Sequence, residues 1–133
     1  DFDRDVADQA IELRRTLIAR LFRANGRILL GSDAPQVFNV PGFSTHLELE
    51  TYVAAGLTPF EALTTGTTAV AEFLGSNAGA VELGRDADLV LLNDNPLTDI
   101  ANARRVHGVM LRGTWHSRQD LDSRMEPLRH SGD

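Results

Sequence analysis

The stretch Arg27-Ile28-Leu29-Leu30-Gly31-Ser32-Asp33-Ala34-Pro35 decides the fold. Its apolar run, bounded by Asn25-Gly26 before and Pro35 after, predicts a buried parallel strand over residues 27–31 that opens into a loop. In α/β folds the loops at the carboxyl ends of parallel strands collect ligands and catalytic groups. Asp33 stands at that position, where a carboxylate can carry a proton or hold a metal ion. A lone aspartate after a strand can also serve a turn or cap a helix, and Ser32 can simply satisfy loop backbone groups.

Upstream, residues 5–24 have helical periodicity. Val6, Ala7, Ala10, Ile11, Leu17, Ile18, Leu21 and Phe22 fall on one stripe, with Glu12, Arg14 and Arg15 mostly off it. Arg20 and Arg23 complement the dipole of the last turn, and Asn25-Gly26 supplies a left-handed stop. A helix feeding directly into an apolar strand is half of a repeating α/β unit. Downstream, the loop 34–44 is long for such a connection, and long loops are often functional. Thr45 and Glu48 have capping-box spacing, which predicts a helix from there to Gly56. Thr58-Pro59-Phe60-Glu61 is a stronger start, with a cap, Pro at the first helical position and Glu at the third. That helix weakens at Thr64-Thr65-Gly66, and a further short one is predicted over 69–74.

After Gly75 the composition shifts. Residues 80–83, 87–92 and 105–112 read as strands, with turns at 84–86 and 93–96. Residues 99–104 read as a helical turn, Leu111-Arg112-Gly113-Thr114-Trp115 as a tight hairpin, and Ser117 as the cap of a helix over 118–125. The expected division is a helix–strand–helices segment over 1–75, strands over 76–118, and a helix with a tail over 119–133.

Composition narrows the function. A chain of 133 residues, 42% hydrophobic and 24% charged, fits one domain with a core rather than a disordered chain. A net charge of −6 argues against nucleic acid, which needs clustered cations. No apolar stretch approaches the roughly 20 residues that span a bilayer, and the charged start Asp1-Phe2-Asp3-Arg4-Asp5 does not suit a signal peptide. The absence of Cys removes disulfides, thiolate nucleophiles and Cys-based zinc sites, and favours a cytoplasmic location. Every basic residue is Arg, which excludes a catalytic or carboxylated lysine within these residues. A start at Asp rather than Met suggests a processed or truncated product.

His46, in the first turn after the long loop, can meet a substrate or stand solvated at a helix start. His107, His116 and His130 have no ligand spacing with one another and read as structural or exposed. There is no Gly-rich phosphate loop, GxSxG elbow, HxxxH helix or HxH pair.

The order of segments carries more. Leu30-Gly31-Ser32-Asp33-Ala34-Pro35 followed by Pro41-Gly42-Phe43-Ser44-Thr45-His46, then Glu48-Leu49-Glu50, resembles the last barrel strand and following loop of metal-dependent amidohydrolases of the imidazolonepropionase and prolidase-like superfamily. Ala55-Gly56-Leu57-Thr58-Pro59 and Glu61-Ala62-Leu63 resemble the helix pair that follows in that family. The run from Gly79 through Gly84-Arg85-Asp86-Ala87-Asp88 to Val90 is similar to the entry into its small β domain, and Asn95-Pro96-Leu97, Asp99-Ile100, Val109 and Gly113 continue the pattern. The resemblance spans about residues 5–122.

It implies an α/β fold: the last helix–strand–helix segment of a (β/α)8 TIM barrel with part of a small β-sandwich. It also implies a hydrolase acting on amide or other C–N bonds through a metal-activated water. A divalent metal, usually zinc, would be the cofactor of the complete enzyme. Asp33 would be metal ligand and proton carrier, and His46 a substrate contact. A full barrel takes about 250 residues, and the other strands that carry the family's metal ligands are not in this sequence, so the chain by itself is expected to be inactive. Thr67-Thr68-Ala69 stands where relatives often carry Thr-x-Asn. Expected partners are a small substrate with an amide-like bond and either an N-terminal barrel segment or another copy of the chain in a homo-oligomer, with neither nucleic acid nor membrane involved. The alternatives are a non-catalytic remnant that self-associates as a structural module, and a small α/β binding domain.

Overall fold

A computed structural model describes residues 4–129. Its opening helix α1 (Arg4–Arg23) leads through an irregular stretch to α2 (Phe43–Ala54), α3 (Pro59–Thr65) and α4 (Thr68–Leu74). Strand β1 (Leu89–Leu92), a 3-10 turn at Ile100–Arg104, β2 (Val106–Leu111), β3 (Thr114–Ser117) and α5 (Arg118–Arg129) follow. The sheet is a three-stranded antiparallel meander in the order β1-β2-β3.

Local chemistry explains most boundaries. Asn25 takes the left-handed conformation (φ 61°) and stops α1. Thr58 and Glu61 form both halves of the capping box at α3: the Glu61 amide donates to Thr58 Oγ1, and the Thr58 amide donates to Glu61 Oε2. Gly75 ends α4 with φ 65°. Arg112 and Gly113 (φ 50° and 75°) form the two-residue turn between β2 and β3 that matches strand twist. The Arg112 amide donates to Asp88 Oδ1 at 2.6 Å, which ties this hairpin to the start of β1. Ser117 and Asp120 cap α5 reciprocally.

The core joins the helical and β parts. Leu49, Tyr52, Leu57 and Ala62 are buried together with Ile100 and Ala103 of the 3-10 turn, and Ile18, Phe22, Ile28 and Leu30 pack against them. Arg104 reinforces the junction through Glu50 (2.8 Å), and Arg23 reaches both Glu61 (2.8 Å) and the Gly56 carbonyl oxygen. The helices α2 and α3 and the 3-10 turn thus share one cluster.

Three sequence expectations are corrected. Residues 27–31 are not a paired strand: the Leu30 amide donates to the Thr65 carbonyl at 3.0 Å, but among the described residues no strand lies beside them. A parallel strand takes its hydrogen bonds from neighbouring strands, and none is supplied here. Residues 80–83 are not a strand either; Val81 and Leu83 are fully open to solvent, and turn bonds such as that from the Asp86 amide to the Asn77 carbonyl organise the segment. Finally, α2 starts at Phe43 without a side-chain cap, so Thr45 and Glu48 do not form a capping box. Glu48 bonds elsewhere.

The surface is unusually large. The chain exposes 9923 Å², whereas a folded monomer of 14.5 kDa exposes about 6,900 Å². No side chain of α1 is buried, and Leu13, Leu17 and Leu21 are about half exposed or more. Among the described residues, no helix is long and apolar enough to cross a membrane.

Candidate functional site

The candidate site is built where segment 28–33 passes between α1 and α2. Ile28 and Leu30 anchor the segment in the core. Gly31 and Ser32 then enter a cleft of about 510 Å³ that Ile18, Leu21, Glu48 and Tyr52 also line. Asp33 follows directly, exposed, with φ 51°. A left-handed backbone is uncommon outside glycine, and aspartate and asparagine tolerate it best. The loop beyond is tied back: Asn39 Nδ2 donates to the Ser32 carbonyl at 2.9 Å, and the Val40 amide donates to Ser44 Oγ at 2.8 Å.

Glu48 is the polar centre of the cleft. Its carboxylate accepts the Gly31 amide at 3.2 and 3.3 Å and the Tyr52 hydroxyl at 2.5 Å. The Tyr52 oxygen also lies 3.3 Å from the Leu29 carbonyl oxygen. Burial, then the hydrogen bond to Glu48 and its negative charge, push the Tyr52 phenol well above its ordinary pKa, so it stays a neutral donor. Glu48 and Tyr52 escaped the sequence reading as site residues. Their spacing of four places both on one face of α2, but nothing local marks Gly31, 17 positions away, as their partner.

His46 is on the other side of that helix. Two residues on an α-helix are about 200° apart, so while Glu48 faces Gly31, His46 faces the 3-10 turn. Burial holds its pKa below the ordinary value, Arg104 lowers it further, and Glu50 opposes them. The structure therefore does not bring His46 to the Gly31–Asp33 segment. His107 Nδ1 contacts Asn93 Oδ1 at 3.0 Å and His116 lies in β3; His130 is outside the described residues.

Among the described residues, no group of three His, Asp or Glu side chains could hold a metal ion. A catalytic zinc site takes three protein ligands and water. The described residues do not fit a metal on their own.

A family model for the amidohydrolase family matches residues 5–116. The chain belongs to the amidohydrolase family. Among solved structures it is similar to a putative prolidase from Bifidobacterium longum, at 33% identity and TM-score 0.70 over 84% of this chain and 30% of that one. It is also similar to phenylurea hydrolase B, at 27% identity and TM-score 0.62 over 80% of this chain and 27% of that one. A Xaa-Pro dipeptidase with bound methionine shares the fold at 23% identity and TM-score 0.67, over 77% and 25% of the two chains. The chain thus spans less than a third of each of these structures. No curated protein matches it.

Proposed function

We propose that this chain supplies one portion of an amidohydrolase that cleaves amide or other C–N bonds, with Asp33 as the proton carrier at the end of the last barrel strand. In this role the Asp33 carboxylate takes a proton from the attacking water and delivers it to the leaving nitrogen. The observation that carries the reading is the exposed Asp33 at the end of the Ile28–Gly31 segment, directly beyond the cleft that Ser32 lines, in a family member whose segment has no strand neighbour among the described residues. The adjoining meander is read as part of the small β-sandwich. A divalent metal, with zinc the family expectation, would be held mainly by residues outside this chain.

The excess surface supports association. Roughly 3,000 Å² more is exposed than a self-contained monomer shows, which with an equal share from a partner is about 6,000 Å² in total, the scale of large obligate interfaces. The occupant is either the rest of a barrel or a second copy of this chain, the latter as a structural module without catalysis. A cytoplasmic site of action remains part of the proposal.

The test is a chimaera in which this chain replaces the matching 30% of the Bifidobacterium protein, assayed on proline-containing dipeptides and phenylureas. Hydrolysis supports the enzyme reading. A folded chimaera without hydrolysis, beside a compact homodimer of the chain alone, favours the structural module.

A further inference from the structure

The backbone just before Asp33 is held by α2 and α3 rather than by a sheet. Three consecutive residues meet α2 or α3: the Leu29 carbonyl lies beside the Tyr52 hydroxyl, the Leu30 amide donates to the Thr65 backbone carbonyl, and the Gly31 amide donates to both oxygens of Glu48. Tyr52 is only 6% exposed, and its proton is committed to Glu48 across 2.5 Å, so the carboxylate is oriented from the core side. A Glu oriented by a buried Tyr and gripping an amide two residues from the reacting carboxylate is a placement device. Hydrogen bonds to an ionised acceptor are roughly twice as strong as neutral ones.

We propose that Glu48, oriented by Tyr52, is a positioning residue that fixes Asp33 for proton transfer by clamping the Gly31 amide. The proposal rests on the hydrolase reading of Asp33. Glu48 does not touch the reacting atoms. It sets where the carboxyl end of the segment emerges, and a displacement of about 1 Å at a reacting group can cost about 100-fold in rate.

Two measurements test it. In the chain itself, amide hydrogen exchange of Gly31 is followed in wild type, E48A, E48Q and Y52F, with the Glu61 amide in the α3 cap as internal control. The clamp predicts at least about tenfold faster exchange at Gly31 in E48A, with the control unchanged. In the chimaera, E48A lowers kcat about 10–100-fold with KM within about twofold. E48Q, which keeps an oxygen for Gly31, recovers a large part of the loss, while E48D, one methylene too short, does not. Y52F preserves the shape of the core and lowers kcat several-fold, so the test survives if E48A fails to fold. Unchanged Gly31 exchange, or kcat in folded E48A equal to that of an active wild type, overturns the clamp alone. A folded wild-type chimaera without hydrolysis overturns the hydrolase reading and this role with it, even where the exchange result holds.

Discussion

Replacing Gly108 by alanine probes the small sheet at its tightest point. Gly108 is buried in β2, opposite Ser117 of β3 and next to the Met110–Trp115 pair, and the Trp115 indole covers it. A Cβ there would overlap Trp115 Cζ2, lie 2.5 Å from Trp115 Cη2, and stand 2.9 Å from the His116 carbonyl oxygen. The ring can swing outward, but the carbonyl belongs to the neighbouring strand and moves only with the ladder. Overpacking of this kind costs about 1–3 kcal/mol. For a chain of this length that lowers Tm by about 4–10 °C. Trp115 is the only tryptophan, so its fluorescence reports the displaced ring directly. G108A should melt lower and shift the emission towards that of solvent-exposed indole. In a W115L background the share of the penalty due to the ring should vanish while the contact with the His116 carbonyl remains, giving a coupling of about 0.5 kcal/mol or more in the double-mutant cycle. A G108A protein within about 0.5 kcal/mol of wild type, with unchanged emission, would refute the packing argument.

Tyr52 is the only tyrosine, so ultraviolet titration reads it without assignment. Its ionisation should fall well above the ordinary value of 10.0, and stability should decline as pH rises past that value, where the unfolded chain loses the proton first. E48A should bring the titration back down; ionisation near 10 in the folded wild type would contradict the buried donor. Hydrogen bonding by the Thr58 amide, then by Arg23 and the Thr58 hydroxyl, holds Glu61 below its ordinary 4.5. Its contribution is therefore present above 4.5 and lost as pH falls through the lower folded value. E61Q should show a smaller drop in Tm between neutral and acidic buffer than wild type, and an equal drop would count against the cap. Burial, with Arg104, keeps His46 neutral in the fold, so stability should fall as pH drops below 6.5, where the unfolded chain binds the proton first. H46Q should flatten that limb, and an unchanged limb would remove His46 as its source.

Signals confined to a few neighbouring residues were legible in the sequence. Thr58-Pro59-Phe60-Glu61 announced α3, Gly75 its successor's end, and Arg112-Gly113 the hairpin, because caps and turns are satisfied within four residues. Family membership was legible from the order of segments. What needs distant partners was not. Among the described residues, 27–31 have a strand's composition but no strand neighbours, and 80–83 has the apolar alternation of a strand without a ladder to join. Glu48 had the spacing to cap α2 and instead serves Gly31 and Tyr52, a choice made by tertiary contact. Of the α1 stripe, Ile18 and Phe22 pack against the core while Val6, Ile11, Leu17 and Leu21 remain exposed, because a stripe announces that burial is needed without saying which chain provides it.

The most direct measurement is turnover by the folded chimaera carrying Asp33 against the same protein with Asp33→Asn. Asparagine keeps the shape and tolerates the left-handed backbone, but it cannot carry the proton. The account predicts a loss of about 100- to 10,000-fold in kcat with the fold unchanged. An Asp33→Asn enzyme that turns over within a few-fold of wild type would contradict it.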